Sequence, residues 1–413
     1  MVGIQIEIKF KIMIIKRLLF IFILFSSMLV KGQNDIQISS DFPGGNISVH
    51  KISGDSVWLK PDLSFTEGEW FYWYFKISGI SGKNITFKFE QNNVFTKYGP
   101  AYSLNNNETW KWYGESRITD NCFTFSFSEQ DTVAFFSVAF PYTEKDLYKF
   151  IETLNERESL EIDTLCFSPE NRVIEKITIP SLSKEPTYKV LITARHHACE
   201  MMASYVLEGI IKSLLNDKNL QELRKHAEFM IIPFMDKDGV ENGEQGKNRI
   251  PRDHNRDYDG ESFHNSTATL RTIIPVWSDE KLKFALDIHC PWISGRHNED
   301  IYMVGSSNKK IEQNQIIFSR LLEKNNSGEI KLYHENFLPF GESWNTDNNY
   351  TKGTGFMKWA AGIEGISLAT TIEFPYANVA GTMVSKDNSR IFGETVAYSI
   401  NDYFDKVLKN SQY

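Results

Sequence analysis

The chain has 413 residues, 41% of them hydrophobic and 14% aromatic, with a formal net charge of −8. That length exceeds one ordinary domain and can bury two cores, and the composition is that of a globular protein. The acidic balance gives no electrostatic case for nucleic acid, so no such partner is expected.

Residues 1–32 stand apart: Lys9, Lys11, Lys16 and Arg17 precede the apolar run Leu18–Val30, and Lys31-Gly32-Gln33 follows it. This is the plan of a secretory signal peptide cleaved after Gly32, with Met13 as an alternative start. The run of 13 residues is short against the roughly 20 that a spanning helix needs, and no later run is long and apolar enough to cross a bilayer. An exported protein, periplasmic or secreted, with no stable membrane span after signal removal is therefore expected. Export permits disulfides, for which Cys122 and Cys166 are the candidate pair; Cys199 and Cys290 read as small buried residues packed behind a site.

Residues 33–166 carry short runs with strand periodicity at Glu69–Ile77, Ile85–Glu90, Phe123–Phe127 and Val133–Phe140, punctuated by Gly79, Gly82 and Asn84. They predict an all-β sandwich domain whose aromatics form its core, with a first helix at Glu144–Leu154. Asn171–Thr187, with Pro180 and Pro186, reads as a polar connector. Over residues 167–413, apolar runs at Val190–Thr193, Phe229–Phe234, Phe284–Ile288, Ile301–Val304 and Thr370–Phe374 alternate with helical stretches at 202–215, 219–226, 308–324 and 390–409. That alternation predicts an α/β domain with a mixed, mostly parallel sheet flanked by helices, and such sheets gather ligands at the carboxyl ends of their strands.

The chemistry concentrates there. After the run ending at Thr193, His197 and Glu200 stand three residues apart on a turn, close enough for an imidazole and a carboxylate to converge. Two such ligands need a third, and His289 at the end of an apolar strand can supply it; two His and one Glu make a catalytic zinc set. His196, His254, His264 and His297 read as turn or surface residues. The loop Gly246–Tyr258 combines Arg249, Arg252 and Arg256 with Asn255, a composition suited to bidentate capture of a carboxylate. Glu373, a carboxylate at the end of a buried strand, needs a partner or a role, and beside a metal-activated water it can act as general base.

In this order, His197-x-x-Glu200, Asp253-x-Asn255-Arg256, His289 and Glu373 resemble the M14 zinc carboxypeptidases across the second domain. Trp70-Phe71-Tyr72 and Phe140-Pro141-Tyr142-Thr143 resemble the β-domain signatures of the cytosolic carboxypeptidase subfamily, which includes tubulin deglutamylases; Ala198-Cys199 departs from the Pro-Gly usual there. The resemblance implies one Zn2+ per chain held by His197, Glu200 and His289, with Glu373 as catalytic glutamate and Asn255 with Arg256 holding the C-terminal carboxylate of a peptide or protein substrate. It further implies Arg249, with Arg252 as rival, as the arginine that polarises the scissile carbonyl, and Tyr350 as the active-site tyrosine. Asp253 is expected to orient a zinc-ligating histidine, and Lys358 to favour an acidic terminal residue. Two other classes stay open: a zinc amidase or deacylase acting on cell-wall or other small amides, and a non-catalytic binding protein on the same scaffold.

Overall fold

The computed structural model describes residues 35–408, so the signal sequence expected over residues 1–32 lies outside the described residues. The chain begins with ten short strands: β1 (Gln37–Ser39), β2 (Ser48–Ser53), β3 (Ser56–Lys60), β4 (Tyr74–Ser78), β5 (Asn84–Phe89), β6 (Ala101–Ser103), β7 (Lys111–Trp112), β8 (Ile118–Thr119), β9 (Cys122–Ser126) and β10 (Val133–Ser137). They form two five-stranded sheets, in the orders β1-β4-β10-β6-β7 and β2-β3-β5-β9-β8. Alternation along β4, β5, β9 and β10 sends Phe75, Phe87, Phe123 and Phe136 inward, where their ring centroids lie 4.7 to 5.6 Å apart across the sandwich. The aromatics thus build the core, as the sequence leads one to expect. Phe136 is fully buried among these rings, and Phe136→Ala is expected to cost about 3–5 kcal/mol of stability in urea unfolding followed by fluorescence.

The aromatic strand expected over Glu69–Ile77 starts only at Tyr74. Before it, the backbone of Tyr72 is paired by a side chain of the second domain: Tyr72 N donates to Gln245 Oε1 at 2.8 Å, and Gln245 Nε2 donates to Tyr72 O at 2.8 Å. This short stretch is a seam between the domains.

After helix α1 (Glu144–Glu152), a seven-stranded sheet follows from β11 (Glu161–Phe167), β12 (Val173–Ile179), β13 (Tyr188–Ala194), β14 (Ala227–Ile232), β15 (Leu282–His289), β16 (Tyr302–Val304) and β17 (Leu368–Glu373). Its order is β11-β12-β14-β13-β15-β17-β16. The four central strands are mutually parallel, and the edges add antiparallel strands on both sides. Two sequence expectations change here. Cys166, where the first domain was expected to end, lies within β11, and the expected polar connector contains β12, whose Ile174, Ile177 and Ile179 are buried.

The remaining helices are α2 (Met202–Asn216), α3 (Gln221–His226), α4 (Lys237–Asn242), α5 (Asn265–Ser278), α6 (Lys309–Asn325), α7 (Phe356–Ala360) and α8 (Lys386–Tyr403). Strand alternation separates two cores. Val190, Ile192, Ile231, Leu286 and Ile372 pack with Val206 and Ile210 of α2, Phe318 of α6 and Phe392 of α8. Leu191, Met230, Ile232, Ala285 and Ala369 pack on the other face with Leu270 and Ile274 of α5 and Phe356 of α7. The result is a three-layer α/β/α domain with the ends of β13, β15 and β17 side by side. Cys122 and Cys166 are free thiols, so the candidate disulfide is absent.

Candidate active site

The site is built at those strand ends. In register, His289 of β15 lies directly beside Glu373 of β17, because parallel pairing brings the last residues of both strands level. His197 and Glu200 reach the same point from the turn between β13 and α2. One donor atom from each of His197, Glu200 and His289 falls within a sphere of mutual distances of at most 4.8 Å. His197 Nδ1 lies 2.9 Å from Glu200 Oε1, His289 Nδ1 lies 2.7 Å from Glu200 Oε2, and the two Nδ1 atoms are 3.1 Å apart. Two nitrogens and a carboxylate converging this closely are a chelating set for zinc, so the residues fit the ion that the sequence leads one to expect.

The outer nitrogens of both histidines are held. His197 Nε2 lies 3.2 Å from Asp253 Oδ1, and His289 Nε2 lies 2.5 Å from Asp287 Oδ2. A carboxylate on the far nitrogen directs Nδ1 toward the cluster. Asp287 went unnoticed in the sequence although it stands two residues before His289 on one strand, and therefore on the same face. Its other oxygen lies 2.9 Å from His196 Nδ1, and His196 Nε2 lies 2.7 Å from the Tyr258 hydroxyl. His196, His254 and His264 are thus buried, not surface residues; His196 anchors the aspartate that orients His289.

The turn itself is locked. Arg195 adopts φ 58°, a left-handed conformation that costs a non-glycine residue energy, and its buried guanidinium donates to Ala198 O, to Tyr142 O of the first domain at 3.1 Å and to Ser204 Oγ at 3.0 Å. Gly246 (φ 75°) presses on the same turn: a Cβ there would lie 2.2 Å from Ala198 N. Cys199 and Cys290 are buried behind the cluster as expected, and burial pushes the Cys199 thiol up to about 12, leaving it neutral.

Electrostatics separates the two glutamates. Burial opposes the charge on Glu200, but Lys247, His197 and His289 outweigh it and hold its carboxyl well below the usual range. Burial dominates at Glu373, whose carboxyl is raised despite His289 and Lys247, and its Oε2 is buried without a hydrogen-bond partner. Burial disfavours the imidazolium of His289, yet Asp287 and Glu200 raise its pKa well above the ordinary value.

His197, His289 and Glu373 open into a cavity of about 440 Å³, lined also by Lys247, Asp253, Asn255, Arg256, Tyr302, Asn349, Tyr350 and Lys358, with Trp70, Trp292 and Trp344 on its walls. Asn255 Nδ2 lies 3.2 Å from His289 Nε2, and its Oδ1 accepts from Phe356 N at 2.8 Å. Arg256 Nε and Nη2 donate to Asn349 and Nη1 to Asn255 O, while its guanidinium and the Lys358 ammonium each stand 5.5 Å from the Tyr350 ring. The structure therefore brings His197, Glu200, His289, Glu373, Asp253, Asn255, Arg256, Tyr350 and Lys358 together. It does not bring Arg249, which is clamped between Asp236 and Glu244 and lines a different cavity, nor Arg252, which pairs with Asp257 at 3.1 Å. Lys247 is the basic residue that the sequence reading passed over; its Nζ lies 2.8 Å from Glu200 Oε1.

A His-Glu-His cluster at the carboxyl edge of a parallel sheet, beside a buried unpartnered carboxylate, defines a metal-dependent hydrolase. The zinc carboxypeptidase family model (peptidase M14) matches residues 147–388, and the model of the cytosolic carboxypeptidase N-terminal domain matches residues 38–139. The chain belongs to the M14 zinc carboxypeptidase family, whose members are zinc-dependent enzymes. It is 24% identical over 421 residues to cytosolic carboxypeptidase 3 of Mus musculus, covering 90% of this chain and 40% of that protein. It is 25% identical over 292 residues to cytosolic carboxypeptidase 2 of Homo sapiens, covering 68% of this chain and 31% of that protein. The chain thus spans well under half the length of these relatives. In fold it is similar to a metallo-carboxypeptidase from Burkholderia cenocepacia, with TM-score 0.72 and 20% identity over 90% of this chain and 99% of that one. It is likewise similar to the Pseudomonas aeruginosa metallo-carboxypeptidase, with TM-score 0.72 and 19% identity over 89% and 99% of the two chains.

These relatives correct the expected location. Most of the curated proteins it matches are named cytosolic carboxypeptidases, which points to the cytosol in place of export. Among the described residues no helix is long and apolar enough to cross a membrane.

Proposed function

We propose that the chain is a metallocarboxypeptidase that binds one zinc through His197, Glu200 and His289 and removes the C-terminal amino acid from peptides or proteins. The observation that carries this reading is Glu373, whose carboxyl is raised by burial and whose buried Oε2 has no partner, in the cavity that His197 and His289 also line. Zinc supplies Lewis acidity to a water and to the scissile carbonyl. Glu373 takes the proton from the attacking water, the water oxygen bonds to the carbonyl carbon, and the C–N bond then breaks as Glu373 returns the proton to the leaving nitrogen. Asn255 and Arg256 hold the terminal carboxylate and so fix which bond is cut, while Asp253 and Asp287 keep both histidines aimed at the cluster. Lys358 and Tyr350 border the place for the terminal side chain, which favours an acidic residue there.

The test is chelator-sensitive release of the last residue from peptides ending in glutamate, lysine or leucine, beside the same peptides with an amidated C-terminus. Glutamate is expected to be released fastest and the amidated peptides to resist. Equal cleavage of amidated peptides would make the chain an amidase. Losing one charge-assisted contact costs about 1.5–3 kcal/mol, so Arg256→Ala is expected to lower kcat/KM by roughly 10- to 150-fold, mostly through KM, in steady-state assays.

A further inference from the structure

We propose that Lys247 is the catalytic cation of this chain: its ammonium stabilises the negative charge that develops on the scissile carbonyl oxygen, the task the family resemblance gives to an arginine. The inference rests on the metallocarboxypeptidase reading above and names a residue for a role that reading leaves empty.

When water oxygen bonds to the carbonyl carbon and its proton passes to Glu373, the C=O π pair moves onto the carbonyl oxygen; when the C–N bond breaks the pair returns. A positive group fixed in the cavity before the reaction lowers the cost of that charge. Among the described residues of the loop 246–256, two arginines are held away from the cluster and the third, Arg256, is the residue assigned above to the terminal carboxylate. Arg249 lies between Asp236 and Glu244, Arg252 donates to Asp257 and Glu261 O, and Arg256 donates to Asn349 and Asn255 O beside Tyr350. Lys247 alone on that stretch puts its head group at the cluster, 2.8 Å from Glu200 Oε1, on the wall of the cavity that holds Glu373. Its side chain is only 19% exposed. The Trp70 ring of the first domain stands 5.7 Å from Nζ, so the β-domain backs the lysine and helps confine it.

The test uses the full chain with Lys247→Met and Lys247→Arg. Removing one oxyanion donor typically costs about 10²–10³ in kcat, so Lys247→Met is expected to lose that much with KM changed little. It should keep its zinc in chelator competition. A phosphinic analogue of the peptide cleaved fastest by the unmodified chain should bind Lys247→Met at least about 10²-fold more weakly, with binding of the released amino acid unaltered. Lys247→Arg is expected to recover a large part of kcat. The proposal fails if Lys247→Met instead loses zinc and regains full kcat once zinc is saturating, which would make Lys247 a counter-charge for Glu200. It also fails if Lys247→Arg is as slow as Lys247→Met. An unmodified chain that releases no amino acid from any peptide would sink the parent reading, independently of the lysine variants.

Discussion

Glutamine in place of Glu373 is expected to leave zinc bound and to lower kcat by about 10²–10⁴, the usual contribution of a positioned general base. The substitution keeps the shape of a side chain that is almost wholly buried at the end of β17, so packing against His289 should survive. What it removes is the ability to accept a proton at an oxygen that no protein donor satisfies. The pH profile supplies a second readout with a definite sign. Glu373 must be ionised to work, and burial raises its pKa, so kcat/KM should fall as the pH drops through a value above the ordinary carboxylate range. Glu373→Gln should flatten that acid limb along with the rate. Hydrolysis by the variant at close to the unmodified rate, with zinc present, would remove Glu373 from the role of base.

How much of this was legible in the residues follows from which signals are local. The central strands announce themselves through β-branched apolar runs, and their terminal residues His289 and Glu373 could be placed at one edge because parallel strands end on one side. Period two along β15 would have exposed Asp287 as well, had the strand been read by face as well as by hydrophobicity. Helix α5 was missed because its Thr-rich, β-branched sequence with Pro275 carries weak helix propensity, and tertiary packing of Leu270 and Ile274 makes up the difference. The arginine assignment failed for a different reason. Spacing along a loop does not say which of several basic side chains turns inward, and Asp236 and Glu244, from a segment 5 to 13 residues earlier, capture Arg249 before it can reach the cavity. Lys247 is the one left facing Glu200. The location was misjudged because an apolar N-terminal run is read identically whatever the folded domains resemble, while the comparison with cytosolic relatives draws on both domains.

Removing His289 is expected to have the largest effect on the metal itself. His289→Ala deletes a ligand nitrogen and leaves Asp287 and Glu200, both fully buried, facing the space it filled. Changing only the groups that orient a metal ligand already costs about 10- to 100-fold in affinity, so loss of the ligand should weaken zinc by more than about 10²-fold and abolish hydrolysis with it. Titration with a competing chelator checks this, and zinc binding close to that of the unmodified chain would show that His289 is no ligand. The same residue couples metal to protons. In chelated protein His289 holds its proton well above the ordinary imidazole pKa because Asp287 and Glu200 outweigh its burial. A raised folded pKa contributes stability that is fully present below the unfolded value of about 6.5 and is lost as pH rises through the folded value. Zinc requires the neutral imidazole, so binding must expel that proton, and apparent zinc affinity should climb with pH over the same interval in which the chelated fold loses stability. Calorimetry in buffers of different ionisation enthalpy would count the proton. His289→Ala should release fewer protons per zinc bound and show a smaller decline in the Tm of the chelated protein between pH 6 and pH 9.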